Sequence, residues 1–142
     1  MKAVILAGGF GTRISEYTEV LPKPMIEIGD IPILHHVMSV FASQGVTDFI
    51  IAAGYKAEVL KSYFLNMASL NSNFTVNLGN GDIVYHSRNT LNWRVTVVDT
   101  GLNTMTGGRL LRLKDFIGDE PFYFTYGDGL ANVDLSFVSR KN

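Results

Sequence analysis

No cysteine occurs anywhere in the sequence, which removes disulfides, thiolate metal sites and thiol nucleophiles together. The absence fits a reducing cytosol, and a cytoplasmic location is expected. A surplus of one charge is missing too: 12 basic residues stand against 13 acidic ones. The chain lacks the basic excess that would draw nucleic acid or an anionic membrane surface, and neither partner is expected. Any polyanion it binds must therefore be held by a few well-placed cations. Long hydrophobic runs are also absent. The opening run from Ala3 to Ala7 stops at Gly8-Gly9, too short for a secretory signal. No segment approaches the ~20 apolar residues of a membrane helix.

What remains is a chain of 142 residues, 46% hydrophobic and 18% charged. That suffices for one packed domain and is too little for two. Ala3 to Ala7, ended by glycine, reads as a strand buried on both faces of a parallel sheet. The stretch from Ile14 to Asp30, with Pro22 and Pro24, reads as a long ordered loop. Pro32 opens a helix in which Ile33, Leu34, Val37, Met38 and Phe41 recur at helical spacing, ended by Gly45. Asp48–Ala53 is a second buried strand, and Val59, Leu60, Tyr63, Phe64 and Met67 mark a second helix. Asn80-Gly81-Asp82 is a turn signal between short strands Phe74–Leu78 and Ile83–His86. Arg94–Asp99 is a strand, Gly107–Ile117 a helix, and Phe122–Tyr126 a strand ending at Gly127-Asp128-Gly129. Ser139 to Asn142 read as the end of a helix starting near Asp134, with no closing strand. Strands alternating with helices predict a three-layer α/β/α architecture around a mostly parallel sheet, with right-handed crossovers.

In such sheets ligands bind beyond the carboxyl ends of the strands. The loop from Gly8, the loop after Asp99 and the turn at Asp128 are all predicted there. The glycine loop Leu6-Ala7-Gly8-Gly9-Phe10-Gly11-Thr12-Arg13 is not a P-loop, because no Lys-Ser/Thr follows at the required spacing. It is half of a dinucleotide fingerprint, with Ile14 where the third small residue belongs. Alone, such a cluster is a tight turn. Successive glycines do, however, let backbone N–H groups cradle phosphate oxygens. Arg13 would add a bidentate fork, and Lys23 a point charge on a stretch stiffened by two prolines.

The run LAGGFGTR followed by LPKPM resembles the signature of the sugar-1-phosphate nucleotidyltransferases, with Ile14 in place of the usual leucine. Segments Val98–Gly101, Met105–Arg109 and Phe124–Gly129 are similar to the branch of that family that uses CTP and glucose 1-phosphate. The resemblance implies a Rossmann-like, nucleotide-diphospho-sugar transferase type of fold and Mg²⁺-dependent transfer of a nucleotidyl group with release of pyrophosphate. It implies that backbone from Leu6 to Thr12 holds the nucleotide, that Arg13 and Lys23 stabilise phosphate charge, and that Asp128 binds the metal. It further implies substrate contacts at Thr104, Gly107, Arg109 and Gly127. Without it, Asp128 is an ordinary turn aspartate and Arg109 a helix-surface charge. Trp93, Tyr126 and the histidines His35, His36 and His86 read as structural.

Family members are close to twice this length. Residues 1–142 would thus be a truncated, N-terminal nucleotide-binding part, lacking the second metal-binding aspartate and much of the sugar pocket. A shortened sheet would expose an edge, so a homo-oligomer is expected. Two alternatives stand beside the cytidylyl reading: transfer from UTP, dTTP or GTP, and a nucleotide-binding module without catalysis.

Overall fold

Residues 3–7 are apolar on both sides of the pleat, and a strand of that kind is stable only with cover on both faces. In the computed structural model it forms the middle of the sheet. The structure describes residues 1–7, 21–70, 72–88, 91–101, 106–127 and 139–140. Strand β1 (Lys2–Ala7) pairs in parallel with β4 (Asp48–Ala53) on one side and β8 (Phe122–Tyr126) on the other. Strand β7 (Arg94–Asp99) lies outside β4 and β9 (Ser139–Arg140) outside β8, giving the order β7-β4-β1-β8-β9.

Alternation along these strands sorts the core into two halves. Ala3, Ile5 and Ala7 of β1 and Phe49, Ile51 and Ala53 of β4 face one way. Leu34, Val37, Met38 and Phe41 of helix α1 (Ile33–Ala42) and Ala57 and Leu60 of α2 (Ala57–Leu70) cover them. Val4, Leu6, Ile50 and Ala52 face the other way, against Leu113 and Ile117. Helices on both faces of a parallel sheet are the three-layer arrangement the sequence predicts. Among the described residues no helix is long and apolar enough to cross a membrane.

Four local expectations need correction. The loop before α1 is more structured than a loop: Lys23–Met25 is a 3-10 turn. Strands β2 (Glu27–Ile28) and β3 (Ile31–Pro32) form a ribbon around Gly29 and Asp30. Their φ values of 61° and 65° have the sign a tight hairpin turn requires. The predicted helix over 107–117 is instead two, α3 (Thr106–Arg112) and α4 (Lys114–Ile117). The break falls at Leu113, whose N–H is shared between the Arg109 and Leu110 carbonyls at 3.2 and 3.1 Å, tightening the last turn.

The hairpin strands are β5 (Ser72–Val76) and β6 (Ile83–Arg88), shifted from their predicted bounds. Asn77 closes the ladder, its N–H donating to the Asp82 carbonyl at 2.8 Å, and its Oδ1 accepts from the Gly79 N–H at 2.9 Å, so the chain turns at Leu78. Leu78 consequently sits exposed in the turn although its apolar side chain suggested a strand. Finally, Ser139–Arg140 is strand, paired antiparallel with Tyr123 and Phe122. The expected helix therefore does not reach these two residues, and the sheet has the closing strand the sequence reading denied it. The start near Asp134 lies outside the described residues.

Candidate functional site

The strand order decides where a ligand can go. From β1 the chain crosses to β4 and then β7 on one side, and later returns to β8 on the other. Between β1 and β8 the direction of progression reverses, and at such a switch point a crevice opens beyond the carboxyl ends of the strands. Leu6 pairs with Tyr126 at that edge. The Gly127 N–H then donates to the Leu6 carbonyl at 3.0 Å, carrying the β1–β8 ladder one residue further. The described chain leaves β1 at Ala7 and leaves this ladder at Gly127, on neighbouring strands. Leu6, Ala7 and Gly127 are all buried here. They are the last described residues before the two signature segments in the sequence.

A side chain at Gly127 would be crowded, and its neighbours would have to give way. A Cβ built on it would lie 3.1 Å from Ile5 Cγ2, 3.1 Å from Leu34 Cδ1 and 3.4 Å from Ala7 Cβ. Leu34 belongs to the first turn of α1, so this helix begins at the same edge. The stretch Leu21–Met25 packs against it. Leu21 is partly buried against the core, Pro22 fully buried, and Pro24 and Met25 buried. Bonds from Met25 N–H to Pro22 O (2.9 Å) and from Ile26 N–H to Lys23 O (3.2 Å) close the turn. Lys23, partly buried, is the polar member of an otherwise apolar peg. A long, flexible side chain is thereby anchored on backbone that has little freedom.

Arg109 does not lie on the helix surface, as its sequence context allowed. It is 6% exposed, and its Nη1 donates to Thr100 Oγ1 at 2.9 Å. Burial, with the nearby Arg112 charge adding, lowers its pKa from the ordinary arginine value, yet a guanidinium stays charged at any physiological pH. Thr100 is fully buried at the end of β7. Its N–H and Oγ1 both donate to the Ala53 carbonyl, at 2.8 and 3.1 Å, and its own carbonyl accepts from Arg112 Nη1 at 3.0 Å. Sequence reasoning missed Thr100 and Arg112. The signal was slight: a threonine just past a buried strand, with two arginines one helical turn apart. Gly107 is exposed in the first turn of α3, with nothing within 4 Å of where a Cβ would stand.

Of the other predicted site residues, Gly8, Gly9, Phe10, Gly11, Thr12, Arg13, Thr104 and Asp128 lie outside the described residues. Among the described ones no group of three or more His, Asp or Glu could hold a metal ion. Mg²⁺ needs only one or two carboxylates when substrate phosphates supply the remaining oxygens, so a single aspartate beyond Gly127 suits its donor chemistry.

The histidines are occupied locally. His36 Nε2 donates to the Ile28 carbonyl at 2.8 Å, tying the β2–β3 ribbon to α1. His86 Nε2 and Thr75 Oγ1 share a bond of 2.7 Å across the β5–β6 hairpin. His35 Nδ1 and the Tyr63 hydroxyl share another of 2.7 Å, and the Trp93 ring lies 4.9 Å from the His35 ring. Burial first, and the His36 charge second, lower the His35 pKa from its ordinary value near 6.5. The unfolded chain then binds more protons than the folded one once pH drops below about 6.5, so stability is full above that value and is lost on acidification. Thermal melts between pH 5 and pH 7.5 should show Tm falling with pH, and His35→Gln should flatten that slope. An unchanged slope would clear His35 of the role.

Residues 2–98, more than half of the chain, match the family described as nucleotidyl transferase. Glucose-1-phosphate cytidylyltransferase of Salmonella typhimurium is 51% identical over 136 residues, 95% of this chain and 53% of that protein. The probable glucose-1-phosphate cytidylyltransferase of Bacillus subtilis is 47% identical over 135 residues, with the same shares. The chain thus spans about half the length of the curated relatives it matches. Among solved structures, HddC from Yersinia pseudotuberculosis complexed with GMP-PN superposes with a TM-score of 0.69 at 26% identity. That match covers 95% of this chain and 51% of that one.

Proposed function

The chain belongs to the nucleotidyl transferase family, and on that premise we propose that it forms the nucleotide-binding part of an enzyme that transfers a cytidylyl group from CTP to α-D-glucose 1-phosphate, giving CDP-glucose and pyrophosphate. The observation that carries this reading is the departure of the chain from Ala7 and from Gly127 on adjacent strands at the switch point. The sequence that follows Ala7 is the glycine loop with Arg13. The sequence that follows Gly127 begins with Asp128. The cytidylyl donor is supported by the two relatives whose names carry that activity and whose similarity extends over 95% of the chain.

The chemistry asks for little beyond position and charge. An oxygen of the sugar phosphate, already ionised at neutral pH, attacks the α-phosphorus of CTP. A new oxygen–phosphorus bond forms as the bond to the β-phosphate breaks, and pyrophosphate leaves with the bonding electrons. No general base is required. The obstacle is repulsion between two polyanions and the charge that builds on the bridging oxygen. Amides of Gly8 to Thr12 and the Arg13 fork would hold the triphosphate, and Lys23 would neutralise the α-phosphate. Arg109, Thr104 and Gly107 would lie against the nucleotide. Asp128 would hold Mg²⁺, which supplies charge neutralisation to the phosphates when bound. The test is pyrophosphate release by the intact protein with glucose 1-phosphate and each of CTP, UTP, dTTP and GTP. CTP should be the preferred donor. Preference for another triphosphate would move the donor assignment, and no release with any of them would end the catalytic reading.

A further inference from the structure

Arginine is a costly residue to bury, and a buried guanidinium is held where its hydrogen-bond partners put it. For Arg109 one such partner is Thr100, and Thr100 is itself anchored with unusual completeness. It makes two bonds to the single Ala53 carbonyl, at 2.8 Å from its N–H and 3.1 Å from its hydroxyl. It receives two arginines, Nη1 of Arg109 on its hydroxyl at 2.9 Å and Nη1 of Arg112 on its carbonyl at 3.0 Å. The hydroxyl thus donates to β4 and accepts from α3, while the residue itself directly follows β7. Three elements meet on one buried side chain at the carboxyl edge of the sheet. A residue whose work was only to fill space there would need no hydroxyl, and valine has nearly the same shape.

We propose that Thr100 is a positioning residue that sets where the Arg109 guanidinium stands against the nucleotide, by bridging the end of β4 to α3 through one hydroxyl group. The inference rests on the reading that Arg109 contacts the nucleotide. Thr100 touches no substrate in this account and acts through Arg109. Binding that is equal in the ground state and the transition state appears in KM and leaves kcat unchanged. Displacing the guanidinium therefore raises the KM for the nucleotide.

The test uses the intact protein, with pyrophosphate release read at varied CTP. Thr100→Val should raise the KM for CTP about tenfold or more with kcat little changed, and Thr100→Ser, which keeps the hydroxyl, should restore it. Arg109→Lys keeps the charge and loses the fork. In that background Thr100→Val should add little, because two changes to one linked unit are not additive. Thermal melts of all variants run alongside. A Thr100→Val protein that melts earlier but keeps the wild-type KM overturns the proposal, since the hydroxyl then serves the fold alone. Additive effects in the double variant overturn it as well. Wild-type protein that turns over other triphosphates but not CTP shifts the donor assignment, and the same cycle then reads the preferred triphosphate. Wild-type protein that releases no pyrophosphate from any triphosphate overturns the functional reading and this one with it.

Discussion

Replacing Lys23 by alanine should cut turnover of the intact enzyme by about 10²–10³, the typical loss when one donor to a developing negative charge is removed, and leave Tm within about 2 °C of wild type. The two halves of that expectation come from different atoms. Pro22, Pro24 and Met25 do the packing and are buried. The bond made by residue 23 in the turn uses its carbonyl, which accepts from the Ile26 N–H at 3.2 Å, and alanine keeps it. Lys23 is partly buried, but its side chain is not among those that make up the apolar core. A rigid apolar peg that presents one cation suits transition-state stabilisation, which demands that the charge be in place before the reaction begins. Rates under saturating substrates, set beside a thermal melt, separate the possibilities. Near-normal turnover would remove Lys23 from the mechanism, and a large drop in Tm would recast it as a structural residue.

Most of the sheet was legible because its determinants are local. Asp48–Ala53, Arg94–Asp99 and Phe122–Tyr126 have the predicted bounds, since each is a short apolar or β-branched run bracketed by turn residues. The expectation that a site stands at the carboxyl edge came from the alternation of strands and helices alone. What could not be read were individual hydrogen bonds, some local and some between elements, that hydrophobic periodicity does not encode. Nothing in the sequence around Leu113 announces that its N–H splits between two carbonyls and ends a helix. Asn77 is one of many asparagines in its stretch, and only its bond to Gly79 shows why Leu78 leaves the strand. The pairing of Ser139–Arg140 with β8 depends on long-range register that periodicity does not encode. Arg109 illustrates the same limit at the site. Its neighbours allowed a surface charge, whereas tertiary structure buries it against a threonine nine residues earlier in the chain.

Gly127→Val should destabilise the fold by about 3 kcal/mol, the upper part of the range for overpacking a dense core, and so lower Tm by roughly 10 °C for a chain of this size. The added side chain meets obstruction on two sides at once. Its Cβ alone would stand 3.1 Å from Ile5 Cγ2 and 3.1 Å from Leu34 Cδ1, with Ala7 Cβ at 3.4 Å. Ile5 and Leu34 are fully buried, so neither can swing into solvent. Ile5 belongs to the central strand and cannot retreat without disturbing its pairs to β4 and β8. Leu34 can move only by shifting the start of α1, against which the Lys23 turn is packed. Relaxation of the clash would therefore spread to the floor of the switch point, where Gly127 N–H bonds the Leu6 carbonyl. Because φ at Gly127 is not in the left-handed region, the penalty is one of space and not of backbone conformation. Gly127→Ala, which adds only the Cβ, should accordingly cost less than Gly127→Val. Equal melting temperatures for wild type and Gly127→Val would show that the crevice between β1 and β8 is looser than these distances make it.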